Sequence, residues 1–242
     1  MKLLIIRHGD PDYEIDSLTE KGWREAGFLA ERIAPMNVRS YFVSPLGRAR
    51  DTASLTLKKA GRTAEVLDWL REYDVLITDP NSGMKRIAWD MLPKAWTKVG
   101  EYYDKDNWYN VRVMKNSDME SGIRNVWNGL DSVLERFGYK RENNYYLAEA
   151  PNEDTIVFVC HFGVECVMLS HLLGVSPMVL WHGMIAAPTS VTTLVTEERR
   201  EGIASFRMTA FGDTSHLFVN GEEPAFAGRF CEMYSNTEQR HD

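Results

Sequence analysis

A chain of 242 residues of which 44% are hydrophobic can bury one substantial core, so disorder is not expected. Its formal net charge of −7 repels polyanions, which disfavours nucleic acid and requires any anionic ligand to be held by a local group of Arg and His. Cys160, Cys166 and Cys231 form an odd set without Cys-x-x-Cys spacing, against a disulfide framework or zinc site. No run of about 18 uncharged apolar residues marks a membrane span, so a cytoplasmic protein is expected.

Lys2 to Arg7 is apolar without interruption until Arg7, which suits a strand buried on both faces of a parallel sheet. An acid-rich loop follows. Thr19 can cap a helix in which Trp23, Ala26, Gly27, Ala30 and Ile33 recur at helical spacing, with Pro35 closing it. Val38 to Val43 reads as a second strand. Ser44-Pro45 then looks like an N-cap with proline in the first helical position, opening a helix through Arg48, Thr52 and Leu55. Ala64 to Trp69 gives a weaker third strand. Between about residues 79 and 150 the pattern changes to scattered aromatics, among them Trp89, Trp96, Tyr102, Tyr103, Trp108 and Tyr109, with turn-like breaks at Pro80, Gly83 and Pro93. This segment is expected to be an inserted cap. It contains one clear helix, whose stripe of Ile123, Val126, Trp127, Leu130, Val133, Leu134 and Phe137 suits packing on the sheet and ends at Gly138. Thr155 to Cys160 is a strong buried strand leading into His161 and a helix that ends near Gly174. Val191 to Thr196 and Ile203 to Thr209 are late strands, the last expected at an edge. Residues 1–220 form one domain in this reading, and 221–242 a polar tail expected to fray.

Strands alternating with helices predict a three-layer α/β/α sandwich with a mostly parallel central sheet. Arg7 and His8 end one strand, Arg48 opens the helix after another, and His161 ends a third, so all share the carboxyl edge of that sheet. Open α/β sheets bind ligands there, where helix N-termini offer free N–H groups. Two Arg and two His make an anion pocket suited to phosphate, because guanidinium forks match its oxygens while a neutral imidazole can attack phosphorus. Neither Gly-x-x-x-x-Gly-Lys-Ser/Thr nor Gly-x-Gly-x-x-Gly occurs, so nucleotide-loop chemistry has no support.

Arg7-His8-Gly9 after the first strand, Ser44-Pro45-Leu46-x-Arg48-Ala49-x-x-Thr52-Ala53, and His161-Phe162-Gly163 together resemble the histidine phosphatase superfamily, also called the phosphoglycerate mutase-like family. The likeness runs from residue 3 to about residue 217, where Thr214-Ser215-His216-Leu217 resembles the close of the family domain.

The resemblance implies a phosphatase of the histidine acid phosphatase type acting on a phosphate monoester. His8 would be the nucleophile, and Arg7, Gly9, Arg48 and His161 would hold the phosphoryl oxygens. Glu72 would be the acid that protonates the leaving oxygen, with Asp74, Asp68 and Glu65 as competing acids nearby. The chain departs from the family pattern after Gly9, where Pro11 follows Asp10 and no Asn occurs before Asn37; Tyr13 is the candidate replacement. Glu72-Tyr73-Asp74-Val75-Leu76 replaces the Gly-x-Trp-Glu-Gly element of typical mutases. Trp89 and Trp108 are candidates for the substrate pocket, while His171 and His182 suit packing or surface roles. The expected partner is a small-molecule phosphate ester, with no metal, cofactor, nucleic acid or membrane; the oligomeric state stays open, a homodimer included. The alternatives are a phosphoglycerate mutase-type phosphotransferase and a weakly catalytic module that binds a phosphorylated ligand.

Overall fold

Strand β1 (Lys2–Arg7) is covered on both faces, as its apolar run requires: Leu3 and Ile5 enter one core, Leu4 and Ile6 the other. The computed structural model describes residues 1–79 and 82–241, so the expected break at Pro80 lies outside the described residues. After β1, a hairpin pairs β2 (Pro11–Asp12) with β3 (Ser17–Leu18). Helix α1 (Glu20–Ile33) begins at Thr19, whose hydroxyl accepts the Gly22 N–H. Its buried stripe runs through Gly22, Ala26, Leu29, Ala30 and Ile33, whereas Trp23, expected on that face, lies partly in solvent. Strand β4 (Val38–Val43) leads to α2 (Gly47–Ala60), which starts later than a cap at Ser44 would set it; Leu46 is the N-cap residue and the Ser44 hydroxyl is used elsewhere. The expected third strand shrinks to β5 (Glu65–Val66), because the chain then turns through a 3₁₀ helix that drives Leu70 into the core.

The segment expected as a cap is of two kinds. Its first part holds a separate hairpin, β6 (Leu76–Thr78) with β7 (Lys85–Ile87), followed by α3 (Pro93–Trp96), two 3₁₀ turns and α4 (Arg112–Lys115). Its second part builds the main body. Helix α5 (Met119–Arg136) buries Ile123, Val126, Leu130, Val133 and Leu134 as the stripe predicts, and Gly138 follows at φ +86°, a conformation that favours glycine. Strands β8 (Tyr139–Glu142) and β9 (Tyr145–Ala148) then extend the central sheet.

Strand β10 (Thr155–Cys160) precedes α6 (Phe162–Leu173), which ends at Gly174 in the left-handed region. Helix α7 (Pro177–Gly183), strands β11 (Val191–Arg200) and β12 (Ile203–Asp213), and α8 (Ser215–Phe218) complete the order. The eight-stranded sheet runs β5-β4-β10-β1-β11-β12-β9-β8. It is parallel from β5 to β1 and antiparallel from β1 to β8, so the parallel half carries the strand ends of interest. β12 is not an edge strand, since β9 pairs with its first residues; the edges are β5 and β8. Helices α1 and α2 cover one face through Leu29, Ile33, Ala49 and Ala53, while α5 and α6 cover the other through Ile123, Val126, Val164 and Val167. The result is an α/β/α sandwich around a mixed sheet.

The polar tail does not fray at its start. Ala225 is buried and donates its N–H to Glu25 Oε1 at 2.9 Å, and Lys21 Nζ holds Glu222 at 2.7 Å. Helix α1 thus offers a buried carboxylate and a cation that the tail's own backbone and Glu222 satisfy.

Candidate active site

Three parallel strands stop level with one another. The register pairs Arg7 with Cys160 and Val159 with Val43, so His8, His161 and Ser44 emerge side by side where α2 and α6 begin. The rings of His8 and His161 lie 5.0 Å apart between centroids. The structure therefore brings together Arg7, His8, Arg48 and His161, which the sequence placed at one sheet edge, and with them Gly9 and Glu72, which the resemblance implied.

His8 is almost wholly buried, and its Nδ1 lies 2.7 Å from the Gly9 carbonyl oxygen. A carbonyl can only accept, so Nδ1 carries the proton and Nε2 presents a lone pair. Arg48 gives the same answer independently: its Nε stands 3.4 Å from His8 Nε2, and a guanidinium can only donate. Burial, reinforced by the neighbouring Arg7 charge, holds the His8 pKa well below the usual imidazole range against the pull of the Gly9 carbonyl. Gly9 is fixed in turn. Its N–H donates to Thr52 Oγ1 at 2.9 Å, and a Cβ there would come within 2.9 Å of the Gly22 carbonyl oxygen.

Both arginines are anchored on faces away from His8. Arg48 Nη1 donates to Asp16 Oδ1 at 2.6 Å, while Asp16 Oδ2 accepts the Gly47 N–H at 2.7 Å. Asp16 sits at φ +49°, at the tip of the β2–β3 hairpin. The Tyr13 ring, largely exposed, lies 5.4 Å from the Arg48 guanidinium carbon. Arg7 is buried, and its Nη1 donates to the Ala186 carbonyl at 2.5 Å and the Ala227 carbonyl at 3.2 Å. A Cβ on Gly228 would stand 2.7 Å from that same nitrogen, so the tail passes hard against the guanidinium.

His161 is fully buried; its Nε2 lies 2.7 Å from Ser44 Oγ, and its Nδ1 has no hydrogen-bond partner among the described residues. Burial, reinforced by the Arg48 and Arg7 charges, holds its pKa well below the ordinary imidazole range. Glu72 Oε1 accepts the N–H groups of Tyr73 at 2.8 Å and of Val164, in the first turn of α6, at 3.2 Å. Burial raises its pKa above the usual carboxylate value, opposed by the Tyr73 N–H and by Arg7. The glycine at 163 is required by this approach, since a Cβ would fall 2.5 Å from Glu72 Oε1 and 2.9 Å from Trp89 Nε1. The competing acids stand elsewhere: Glu65 pairs with Arg136, and Asp68 and Asp74 are exposed.

Trp89 is half-buried beside Glu72, donating to the Tyr73 carbonyl at 2.9 Å and meeting Phe162 edge-on. Trp108 is different. It is completely buried and packs edge-on against Trp181, so its large apolar ring belongs to the core and not to a pocket wall. His171 stacks on Trp127 and contacts Asp131, and His182 stacks on Trp96 and accepts the Met91 N–H; both are packing residues. Sequence reasoning missed the tie between Asp16 and Arg48, because a single acid in an acid-rich loop carries no positional signal. It quoted Thr52 without a role, and it missed Glu165, a buried carboxyl in the first turn of α6 that burial lifts to about 7.

The sequence model of the histidine phosphatase superfamily, branch 1, matches residues 3–209. No curated protein matches the chain by sequence. Among solved structures, a phosphoserine phosphatase mutant from Entamoeba histolytica in complex with phosphoserine is similar at a TM-score of 0.56 and 20% identity, over 89% of this chain and 98% of that one. A mycobacterial glucosyl-3-phosphoglycerate phosphatase is similar at 0.58 and 17%, over 87% and 98%. The α-ribazole phosphatase from Shigella flexneri is similar at 0.56 and 18%, over 88% and 97%. At these identities the likeness is one of fold.

Proposed function

We propose that this chain, which belongs to the histidine phosphatase superfamily, is a metal-independent phosphomonoesterase that works through a phosphohistidine on His8. One observation carries the reading: His8 is held as the tautomer whose Nε2 lone pair faces the partly buried Arg48 guanidinium, beside a second neutral histidine. In the first step the Nε2 lone pair forms a bond to phosphorus as the ester P–O bond breaks. The proton of Glu72 goes to the departing alcohol oxygen. In the second step the Glu72 carboxylate takes a proton from water, the oxygen of which attacks phosphorus; the P–N bond breaks, and inorganic phosphate leaves with neutral His8 restored. Arg7, Arg48 and His161 stabilise the charge on the three equatorial oxygens throughout, so that catalysis is chiefly positioning and electrostatics; Gly9, expected to join them, has its N–H occupied by Thr52 Oγ1.

Small-molecule esters suit the site because Trp89 borders Glu72 and Tyr13 shields Arg48, forming an apolar rim next to a charged floor. Residues 79–118 act as the cap in this reading, with Trp89 as their contact to the reacting groups. The free thiols at Cys160, Cys166 and Cys231 fit a cytoplasmic setting. A hydrolysis screen over sugar phosphates, nucleotides, cofactor phosphates and phosphopeptides with a chelator present tests the reading. Turnover is expected in the wild type, with loss of at least about 10³-fold in His8→Ala. Retained turnover in His8→Ala would overturn the mechanism, and transfer of the phosphoryl group to 3-phosphoglycerate in place of water would identify a mutase.

A further inference from the structure

Ser44 opens the shared motif, yet it caps no helix: α2 begins at Gly47, and the Ser44 side chain is fully buried at the end of β4. Its backbone N–H donates to the Val159 carbonyl at 3.0 Å, which docks it on the strand that carries His161. Its Oγ has two partners among the described residues, His161 Nε2 at 2.7 Å and the N–H of Leu46 at 3.3 Å.

The hydroxyl hydrogen decides what this contact means. A serine hydroxyl has one proton to give and two lone pairs to receive. The Leu46 N–H occupies one lone pair. Were His161 Nε2 to donate to the other, the hydroxyl proton would be left buried with no acceptor. An unsatisfied buried donor is the costlier arrangement. With the hydroxyl donating to Nε2, that contact is satisfied at both ends and the single proton of the neutral imidazole sits on Nδ1, so one buried group lacks a protein partner among the described residues where the alternative leaves two. Nδ1 is the atom without a partner among the described residues, on a ring 5.0 Å from the His8 ring.

We infer that Ser44 is a positioning residue that fixes His161 as its Nδ1–H tautomer and thereby turns it into a hydrogen-bond donor to the transferring phosphoryl group. The inference rests on the phosphatase reading for the identity of the acceptor, but the tautomer itself does not. A lone pair at Nδ1 would face the phosphoryl oxygens with repulsion; a proton there meets them as their charge develops. Because burial beside His8 and Arg48 keeps His161 neutral, it cannot escape the choice by carrying protons on both nitrogens. The two histidines are thus set alike by different means, His8 by a carbonyl acceptor on Nδ1 and His161 by a hydroxyl donor on Nε2. Both leave the functional atom facing the ligand.

Long-range ¹H–¹⁵N correlation spectra of the ¹⁵N-histidine-labelled full chain read the tautomer directly. His161 is expected to show a protonated Nδ1 and an unprotonated Nε2 in the wild type. In Ser44→Ala this signature should be lost. The kcat for p-nitrophenyl phosphate should then fall roughly 10- to 100-fold while KM changes less than about threefold, as for loss of a transition-state donor. Ser44→Thr, which keeps the hydroxyl, should recover the wild-type spectrum and most of kcat. A proton on Nε2 of His161 in the wild type overturns the inference whatever the variants do, and so does a Ser44→Ala enzyme with unchanged kcat. A wild type that hydrolyses no ester overturns the phosphatase reading, and the spectrum alone then decides the role of Ser44.

Discussion

Individual side chains set the conditions under which the site can work. In the proposed mechanism His8 must be neutral to attack and Glu72 protonated to release the alcohol. Burial pushes the first pKa down and the second up, which widens the interval where both hold. The kcat/KM profile should therefore be a bell on the acid side of neutrality, its alkaline limb set by Glu72; in Glu72→Gln the residual activity should lose that limb. An alkaline limb that survives the substitution would assign the acid elsewhere. Asp16 makes a second case. It fastens Arg48 and the first amide of α2 together, so Asp16→Ala should lower kcat/KM about tenfold by freeing the guanidinium, mostly through KM. Steady-state kinetics on one generic ester check this. Glu165 has the opposite character. Its carboxyl rises from 4.5 to about 7, so the folded chain binds more protons than the unfolded chain between those values, and stability falls as the pH climbs through that window. Glu165→Gln should stabilise the protein by about 1–3 kcal/mol at pH 8 and by little at pH 4.5. Equal melting temperatures at both pH values would show that the carboxyl is not uncomfortable where it lies.

Among elements, those that carry the site were the most legible. The run Lys2 to Arg7 has no polar interruption, and Thr155 to Cys160 is as uniform; a strand buried on both faces leaves that signature. Each is followed directly by a histidine, which sufficed to place His8 and His161 together. Short elements left no such trace. The strand Glu65–Val66 pairs over two residues only, and the hairpin that carries Asp16 is no longer, so neither has a period to read. The cap boundaries misled for a related reason: Tyr139, Tyr145 and Tyr146 resemble the aromatic scatter before them, although they belong to paired strands. The tail misled most, since its anchor is a carboxylate on α1 and an arginine on β1, far away in sequence. That anchor can be tested. Gly228 lies at φ +87° with the Arg7 guanidinium where a side chain would go, so Gly228→Ala should cost about 1–2 kcal/mol of stability and weaken competitive inhibition by orthovanadate. Unchanged inhibition would mean that the tail and Arg7 are independent.

For the whole molecule, the sheet joins two regimes. The parallel half aligns β4, β10 and β1 so that their carboxyl ends open on one edge; the antiparallel half adds width and cover without contributing to that edge. Strand β1 is among the most central, and this has a consequence for how the chain acquires its site. β1 pairs on one side with Thr155–Cys160 and on the other with Val191–Val195, so it has no partner strand for most of the time that the chain is being made. At ordinary elongation rates the wait for β10 is roughly 8–30 s, and until then its apolar residues are exposed to whatever else is sticky in the cell. Pairings of such long range also make for slow folding once the partners arrive. In the proposed mechanism the nucleophile His8 follows β1 and its neighbour His161 follows β10, about 150 residues later. A nascent chain without β10 is therefore expected to be silent, and activity should lag the synthesis of β10 in a cell-free reaction, with a lag that shortens when a chaperone is supplied.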